Sequence, residues 1–154
     1  MLDVGDPAPQ FELPDQNGET VSLESLRGRR VVVYFFPRAN TPGCTTEATE
    51  FRDQWNEFEE RGVAVLGVSD DPVSDLSAFA EEYDLPFRLL SDESGEVAAA
   101  YDSYGEKEMY GKTFEGVFRN TYVVDPEGTI ERVYEGVDPE SHAGEILAAL
   151  PADD

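Results

Sequence analysis

The stretch Val31-Val32-Val33-Tyr34-Phe35-Phe36 decides the fold of this 154-residue chain, because it is an unbroken run of β-branched and aromatic residues. A continuous apolar run of this length, bounded by Arg29-Arg30 and by Pro37, predicts a buried parallel strand. The segment after Pro37 predicts an amphipathic helix from its apolar spacing, which is set by Ala48, Phe51, Trp55 and Phe58. The two elements together begin a βαβ unit.

The rest of the chain repeats this alternation of strands and helices. Val63 to Val68 predicts the second buried strand, and Ser69-Asp70-Asp71-Pro72 is predicted to cap a helix that follows. The further predicted elements are a hairpin of Phe11 to Leu13 with Val21 to Leu23, a strand within Leu85 to Leu90, a helix over Gly95 to Tyr101, a hairpin of Thr121 to Val124 with Thr129 to Tyr134, and a last helix containing Ile146, Leu147 and Leu150. This order predicts an α/β fold, with a central mixed sheet flanked by helices and an N-terminal β-hairpin. The length fits a single domain over residues 1–154.

Cys44 is the only cysteine of the chain, and it lies at the junction between the first buried strand and the helix after it. We expect it in the first helical turn, where free backbone N–H groups and the helix dipole favour thiolate over thiol. In open α/β sheets, functional groups gather beyond the carboxyl ends of the strands. A structural cysteine would more often lie inside an element, so the position favours a reactive thiol.

Several other thiol chemistries are disfavoured by what surrounds Cys44. The only histidine, His142, is almost 100 residues away; we interpret it as a surface residue near the last helix, and no motif supports a Cys–His protease. Thr41 and Glu47 occupy the places where a disulfide oxidoreductase would carry its second cysteine. The first arginine after Cys44 is Arg52, too distant for a cysteine phosphatase. One cysteine and one histidine do not make a soft metal site, and we expect no metal or cofactor.

The segment Gly105 to Thr113 superficially looks like a phosphate-binding loop. Five residues separate its glycines where four are required, and no buried strand precedes it. Nucleotide binding is therefore not predicted.

The chain is strongly acidic, with 34 acidic against 11 basic residues and a net charge of −23. This charge opposes binding to nucleic acid or to an anionic membrane surface. The start of the chain has no signal-like basic and apolar pattern, and no apolar run approaches the ~18 residues of a membrane span. A lone cysteine is normal in a reducing compartment, so we expect a cytoplasmic protein. Because the acidic residues are spread along the chain, they favour adaptation to a cytoplasm of molar salt over an ordinary acidic mesophilic protein.

Pro37, Thr41 and Cys44 stand in the spacing of a known signature: proline, three residues, threonine, two residues, cysteine. With this spacing the chain resembles the peroxiredoxins, and specifically the bacterioferritin-comigratory or Q-type group. The resemblance extends to Gly5 through Phe11, Asn40 through Glu47, Gly111-Lys112-Thr113 and Arg119 through Gly128. One departure matters: many members carry a resolving cysteine five residues after the first, and this chain has Thr49 there, so no intramolecular disulfide can form.

The resemblance implies a thioredoxin-like fold and a peroxidase in which the Cys44 thiolate attacks a peroxide and becomes a sulfenic acid. Thr41 is expected to aim its hydroxyl at the thiolate and peroxide, and backbone N–H groups around Gly43 and Cys44 to hold the departing oxygen. The resemblance assigns the fixed cation of the site to Arg119, although an arginine in so acidic a chain could also be a surface ion pair. The supporting residues are Pro37, which would shape the loop and cover the thiolate or simply form a turn, and Glu47, which would orient an arginine or simply be a helix-opening charge. We expect Tyr34, Phe35, Phe36 and Trp55 in the core, and Phe36 and Phe118 at the pocket mouth.

The sequence thus predicts a one-cysteine thiol peroxidase for hydrogen peroxide and organic hydroperoxides. Thioredoxin or a low-molecular-weight thiol would reduce the sulfenic acid. The principal alternative is a peroxide sensor or thiol-relay protein of the same fold with slow turnover, and a non-catalytic binding module is the third. A monomer and a weak homodimer both remain open.

Overall fold

A computed structural model of the chain describes residues 2–39, 41–109, 111–135 and 142–149. Its strands are β1 (Glu12–Pro14), β2 (Thr20–Ser22), β3 (Arg30–Phe35), β4 (Val63–Ser69), β5 (Arg88–Ser91), β6 (Tyr104–Met109), β7 (Lys112–Val117), β8 (Thr121–Val124) and β9 (Ile130–Tyr134). Its helices are α1 (Pro42–Asp53), α2 (Trp55–Glu60), α3 (Val73–Tyr83), α4 (Glu96–Ala100) and α5 (His142–Ala149), with a short 3-10 helix at Glu24–Leu26. Asn40, Tyr110 and Leu150, which the sequence analysis cites, lie outside the described residues.

The central sheet has five strands in the order β5-β4-β3-β8-β9. β3, β4 and β5 run parallel to one another, whereas β8 pairs antiparallel with β3 and β9 antiparallel with β8. β1 and β2 form a separate antiparallel hairpin. The predicted mixed sheet and N-terminal hairpin are therefore confirmed.

The β3 run is buried on both faces because its side chains alternate between two apolar layers. Val32, Tyr34 and Phe36 belong to one layer, which includes Phe51 of α1, Phe79 of α3 and Ile146 of α5. Val31, Val33 and Phe35 belong to the other layer, which includes Phe11, Tyr101 and Tyr122. The core predicted for Tyr34, Phe35 and Phe36 is confirmed.

The helix after Cys44 is broken, which the spacing of its apolar residues did not predict. α1 ends at Asp53 and α2 begins at Trp55, because the backbone of Gln54 leaves helical geometry at φ −104° and ψ 7°. Phe51 and Phe58 still meet across the break, with ring centroids 5.7 Å apart. Trp55, predicted as a core residue, packs against the core with its ring centroid 6.1 Å from that of Phe87, but it is only partly buried.

Two other local predictions are also corrected. α3 begins after Pro72 with no side-chain cap, because the carboxylate of Asp71 points away from the helix and towards Ala39. Residues 104–109 and 112–117, which were not predicted to form strands, pair as the β6–β7 hairpin, and Gly111 before β7 has φ +76°. This segment has no apolar alternation that would reveal a strand, and in the part of the chain that the structure describes its two strands pair only with each other.

Among the helices that the structure describes, none combines the length and apolar character that crossing a membrane requires.

Candidate active site

Cys44 is the third residue of α1, beyond the carboxyl end of β3, as the sequence predicts. Its side chain is only 2% exposed and lies in the same buried layer as Phe36. Thr45 donates its N–H to Thr41 O at 2.8 Å. The amides of Gly43 and Cys44 come before this bond, at the helix N-terminus, where intrahelical acceptors are lacking. The sulfur therefore lies at the positive end of α1.

Arg119 reaches Cys44 from a distant part of the chain. Its Nη2 lies 3.4 Å from Cys44 Sγ, and its Nη1 donates to Glu47 Oε1 at 2.9 Å. The backbone beside Arg119 is fixed because Phe35 donates its N–H to Asn120 O at 2.9 Å. Antiparallel pairing of β8 with β3 brings the start of β8 to the end of β3, so the two strands together place the guanidinium beside the thiol.

Glu47 is fully buried in the second turn of α1, so its interpretation as a helix-opening charge is wrong. Burial raises the pKa of Glu47 from 4.5 to about 7, and the charge and hydrogen bond of Arg119 limit that rise. Within the described part of the chain, Glu47 Oε2 has no hydrogen-bond partner. Burial lowers the pKa of Arg119, but negative charge on Cys44 and Glu47 outweighs it and the net shift is upward. The guanidinium therefore remains charged between two groups that can be anionic.

The floor of the site is aromatic. Tyr34 stacks on Phe51 with ring centroids 4.6 Å apart, and burial together with the charges of Glu47 and Cys44 raises its pKa. Gly67 of β4 leaves the space for this ring, since a Cβ there would lie 2.8 Å from the Tyr34 hydroxyl. Phe36 is 1% exposed, so it also belongs to the floor and its prediction at a pocket mouth is wrong. Phe118 is partly buried beside Gly105.

The loop before α1 carries the other predicted residues. Pro37 is partly buried at the bend that follows β3, and Thr41 occupies the N-cap position of α1. The Thr41 hydroxyl donates to Arg38 O at 2.9 Å and makes no cap hydrogen bond.

His142 is buried, and its prediction as a surface residue is wrong. Its Nε2 lies 2.8 Å from Thr121 Oγ1, and its ring meets the edge of Phe51 at 6.0 Å. Burial lowers the pKa of His142 to about 4, although Glu145 opposes that shift. The signal that could have revealed this position is its spacing of four residues from Ile146, which places both on one face of α5. The contacts described for His142 are with Thr121, Glu145, Phe51 and Tyr134, so among the described residues it forms no pair with Cys44.

Among the described residues, no group of three or more His, Cys, Asp or Glu side chains is arranged to hold a metal ion.

The sequence model of the AhpC/TSA family matches residues 4–133. A peroxiredoxin of Mycobacterium tuberculosis is 48% identical over 149 residues, which cover 97% of this chain and 95% of the relative. The chain belongs to the peroxiredoxins. Peroxiredoxin Bcp of Escherichia coli is 45% identical over 146 residues, covering 95% of this peroxiredoxin and 94% of that protein.

Solved structures agree with this assignment. The bacterioferritin comigratory protein of Xanthomonas campestris, determined in trapped-intermediate and ligand complexes that bear on its alkyl peroxide reduction, superposes with a TM-score of 0.86 at 35% identity. The match covers 90% of this peroxiredoxin and 88% of that chain. The predicted thioredoxin-like fold is confirmed. This peroxiredoxin is therefore a thiol-dependent peroxidase of the Bcp or Q group.

Proposed function

We propose that Cys44 is the peroxidatic nucleophile of this peroxiredoxin. The Cys44 thiolate attacks the terminal oxygen of a peroxide, the O–O bond breaks, and the sulfur becomes a sulfenic acid. The departing oxygen leaves as water or as an alcohol after it takes up a proton. The contact of the Arg119 guanidinium with both Cys44 Sγ and Glu47 carries this proposal.

Arg119 and Thr41 supply transition-state stabilisation, which ionisation of the thiol alone does not provide. A free thiol of pKa ~8.5 is already a few per cent ionised at neutral pH, so complete ionisation adds only ~30-fold to its reactivity. Rapid reaction therefore needs stabilisation of the charge that develops on the breaking O–O bond. Arg119 offers fixed donors for that charge, and Glu47 orients the guanidinium. Because the Thr41 hydrogen is held by Arg38 O, its oxygen is free to accept a hydrogen bond from the peroxide O–H.

The Gly43 and Cys44 amides at the start of α1 donate towards the departing oxygen, and Pro37 shapes the loop that covers the thiolate. Phe118 lines the approach to the site. We propose these supporting roles from the position of each residue around the first turn of α1.

The catalytic cycle needs an external thiol. Cys44 is the only cysteine, and Thr49 fills the place of a resolver and donates its hydroxyl to Thr45 O at 2.9 Å within α1. Thioredoxin or a low-molecular-weight thiol attacks the sulfenic acid, and a second thiol then releases Cys44. Since Cys44 is almost fully buried, a protein thiol can reach the sulfur only after the first turn of α1 opens.

The domain organisation, the cellular location and the oligomeric state of the enzyme are also proposed from its sequence. Residues 1–154 form one domain, which works in the cytoplasm as a monomer or a weak homodimer. The net charge of −23 supports a cytoplasm of molar salt and opposes binding to nucleic acid and to anionic membranes.

Steady-state consumption of hydrogen peroxide and of an organic hydroperoxide tests this function, with thioredoxin and with small thiols as reductants. Wild type should turn over with at least one reductant, and Cys44→Ser should be inactive because a hydroxyl stays unionised near neutral pH. Arg119→Met and Thr41→Val should each lower the rate with peroxide by ~100-fold, while Cys44 still reacts with iodoacetamide. Peroxide consumption by Cys44→Ser at the wild-type rate would refute the assignment.

The alternative is a peroxide sensor or thiol relay, which is favoured by the buried single thiol and the absence of an internal resolver. It predicts one rapid oxidation of Cys44 and then negligible turnover with every reductant. Mass spectrometry after one equivalent of peroxide, with and without thiol, separates the two.

A further inference from the structure

The segment that joins β3 to α1, residues 37–41, is here named the active-site loop; its residue 40 lies outside the described residues. The last sheet-like hydrogen bond before the loop joins Phe36 N–H to Val68 O at 3.0 Å. Within the loop, Ala39 donates its N–H to Asp71 Oδ2 at 2.7 Å. A short bond to a carboxylate is charge-assisted and stronger than a bond between neutral groups. The side chain of Asp71 thus binds the active-site loop to the segment after β4, beyond the point where the pairing of β3 with β4 ends.

Asp71 is itself firmly held. It is 3% exposed, and the same Oδ2 accepts the Ser69 hydroxyl at 2.8 Å. Ser91, at the end of β5, donates its hydroxyl to Asp71 O at 2.7 Å. The hydroxyl of Ser69 therefore fixes the carboxylate that the loop uses, whereas Ser91 holds only the backbone of Asp71.

On this side, the described loop residues make few polar contacts besides this bond. A groove of about 260 Å³ separates it from α3, bordered by Arg38, Ala39, Asp71 and Phe79. Arg38 is largely exposed, and its guanidinium lies 3.9 Å from Asp70 and 4.0 Å from Asp71, which is too long for hydrogen bonds. Exposed pairs of this kind contribute little stability. Among the described residues, the bond from Ala39 to Asp71 is the hydrogen bond that joins the loop to the segment after β4, and Ala39 also packs against the apolar layer of Phe36 and Phe79.

We propose that Asp71 is a positioning residue for the peroxidatic reaction. Its carboxylate holds the Ala39 amide, and Arg38 O, one residue earlier, receives the Thr41 hydroxyl. The bond at Ala39 thus determines where the Thr41 oxygen and the first turn of α1 stand relative to Cys44. Asp71 touches no reacting atom and acts only through the loop. The inference rests on the proposed roles of Cys44 and Thr41.

Asp71→Ala tests this role, because it leaves the Ala39 amide without its acceptor. We expect the second-order rate of Cys44 oxidation by hydrogen peroxide to fall ~10-fold to ~100-fold, as misplacement by about 1 Å typically does. Alkylation of Cys44 by iodoacetamide needs no such geometry and should stay within about twofold of wild type. Asp71→Asn should recover most of the peroxide rate, since its amide oxygen can accept the same N–H.

Ser91→Ala is the matched control. It removes a bond to the backbone of Asp71 in the same network but leaves the carboxylate on Ala39. It should lower the melting temperature without slowing oxidation more than about twofold, because stability and loop position are separate properties. A peroxide rate in Asp71→Ala equal to wild type would overturn the inference. So would an equally slow Ser91→Ala, or an Asp71→Asn as slow as Asp71→Ala.

Hydrogen exchange gives a test that does not depend on the folding of Asp71→Ala. In the wild type and in Asp71→Asn, the Ala39 amide should be protected from exchange, and an unprotected Ala39 amide would contradict its bond to residue 71. A wild type that does not react with peroxide would instead refute the proposed function. A reactive wild type with an equally reactive Asp71→Ala would refute the positioning role alone.

Discussion

Arg119 stands between two groups that can both be anionic in a buried pocket, the Cys44 sulfur at 3.4 Å and the Glu47 carboxylate at 2.9 Å. Arginine suits this position because its planar fork of donors can serve both groups and it stays charged. Burial raises the pKa of Glu47 to about 7, so the charge of its carboxylate changes near neutral pH. The orientation of the guanidinium should consequently depend on pH near neutrality.

The first prediction concerns Glu47. Its carboxyl group is mainly neutral below about pH 7 and mainly ionised above it. We expect the ratio of the peroxide rate to the iodoacetamide rate to rise ~10-fold between about pH 6 and about pH 8, because ionised Glu47 fixes Arg119 for the peroxide step. Taking the ratio cancels the ionisation of the thiol, which both reactions require. In Glu47→Gln the ratio should be lower and independent of pH. If the ratio of this variant still rose over the same pH range, the pH dependence would belong to another group.

At the scale of the element, α1 carries both the nucleophile and the place where a resolver would stand. Cys44 and Thr49 are five residues apart, so they are separated by ~7.5 Å along the helix axis. A disulfide requires Cα atoms no more than about 7 Å apart, so an intact α1 cannot accommodate a bridge between these positions.

The second prediction is that Thr49→Cys acquires an internal disulfide only when α1 opens. Reduced Thr49→Cys should have the wild-type circular dichroism spectrum. After one equivalent of peroxide its mass should show the loss of two hydrogens, and its helical signal should fall, because the first turns have unwound. Wild type treated in the same way is the control and should keep its helical signal. A disulfide without loss of helix would show that the two residues are closer than helical geometry allows.

α5 is attached to the site side of the molecule by a buried histidine. The pKa of His142 is lowered to about 4 in the folded protein, against 6.5 in the unfolded chain. Between these two pH values the unfolded state therefore binds more protons than the folded state. The contribution of neutral His142 to stability is therefore fully present above about pH 6.5 and is lost as the pH falls towards 4. The limit of that loss is ~3 kcal/mol.

The third prediction follows from this linkage. Between pH 7 and pH 4, wild type should lose up to ~3 kcal/mol more unfolding free energy than His142→Gln, which cannot titrate. Chemical denaturation at several pH values measures the difference. Glu145→Gln is the control: it removes the carboxylate 3.5 Å from Nδ1, which opposes the lowered pKa, so this variant should be at least as acid-sensitive as wild type. Parallel pH profiles for wild type and His142→Gln would contradict the lowered pKa.

At the scale of the whole molecule, the net charge of −23 on 154 residues means that acidic side chains repel one another in the folded state and destabilise it. Salt weakens this repulsion, since the screening length falls from ~10 Å at 0.1 M to ~3 Å at 1 M. Screening is therefore almost complete near molar salt, and any further stabilisation needs ion exclusion or stronger apolar burial.

The fourth prediction is that the melting temperature rises substantially from dilute buffer to molar potassium chloride, with most of the rise below ~1 M. A scanning calorimetry series against salt concentration measures it. A melting temperature that does not change with salt would remove the proposal of a high-salt cytoplasm and leave an acidic mesophilic peroxidase.

Local patterns in the sequence determined the strand β3, the helix that begins before Cys44 and the mixed order of strands. These features follow from patterns within short segments. A continuous apolar run predicts a buried strand, and apolar residues at helical spacing after it predict a helix. The spacing of Pro37, Thr41 and Cys44 also predicted the nucleophile and indicated the family, which the comparisons confirm. Tertiary structure alone decided the contacts over long separations. Arg119 meets Cys44 because β8 pairs with β3, the Asp71 carboxylate turns to Ala39 instead of capping α3, and His142 is buried because α5 packs on α1. No local pattern encodes these contacts, since each depends on how two distant segments are brought together and on which partners remain after the core has formed.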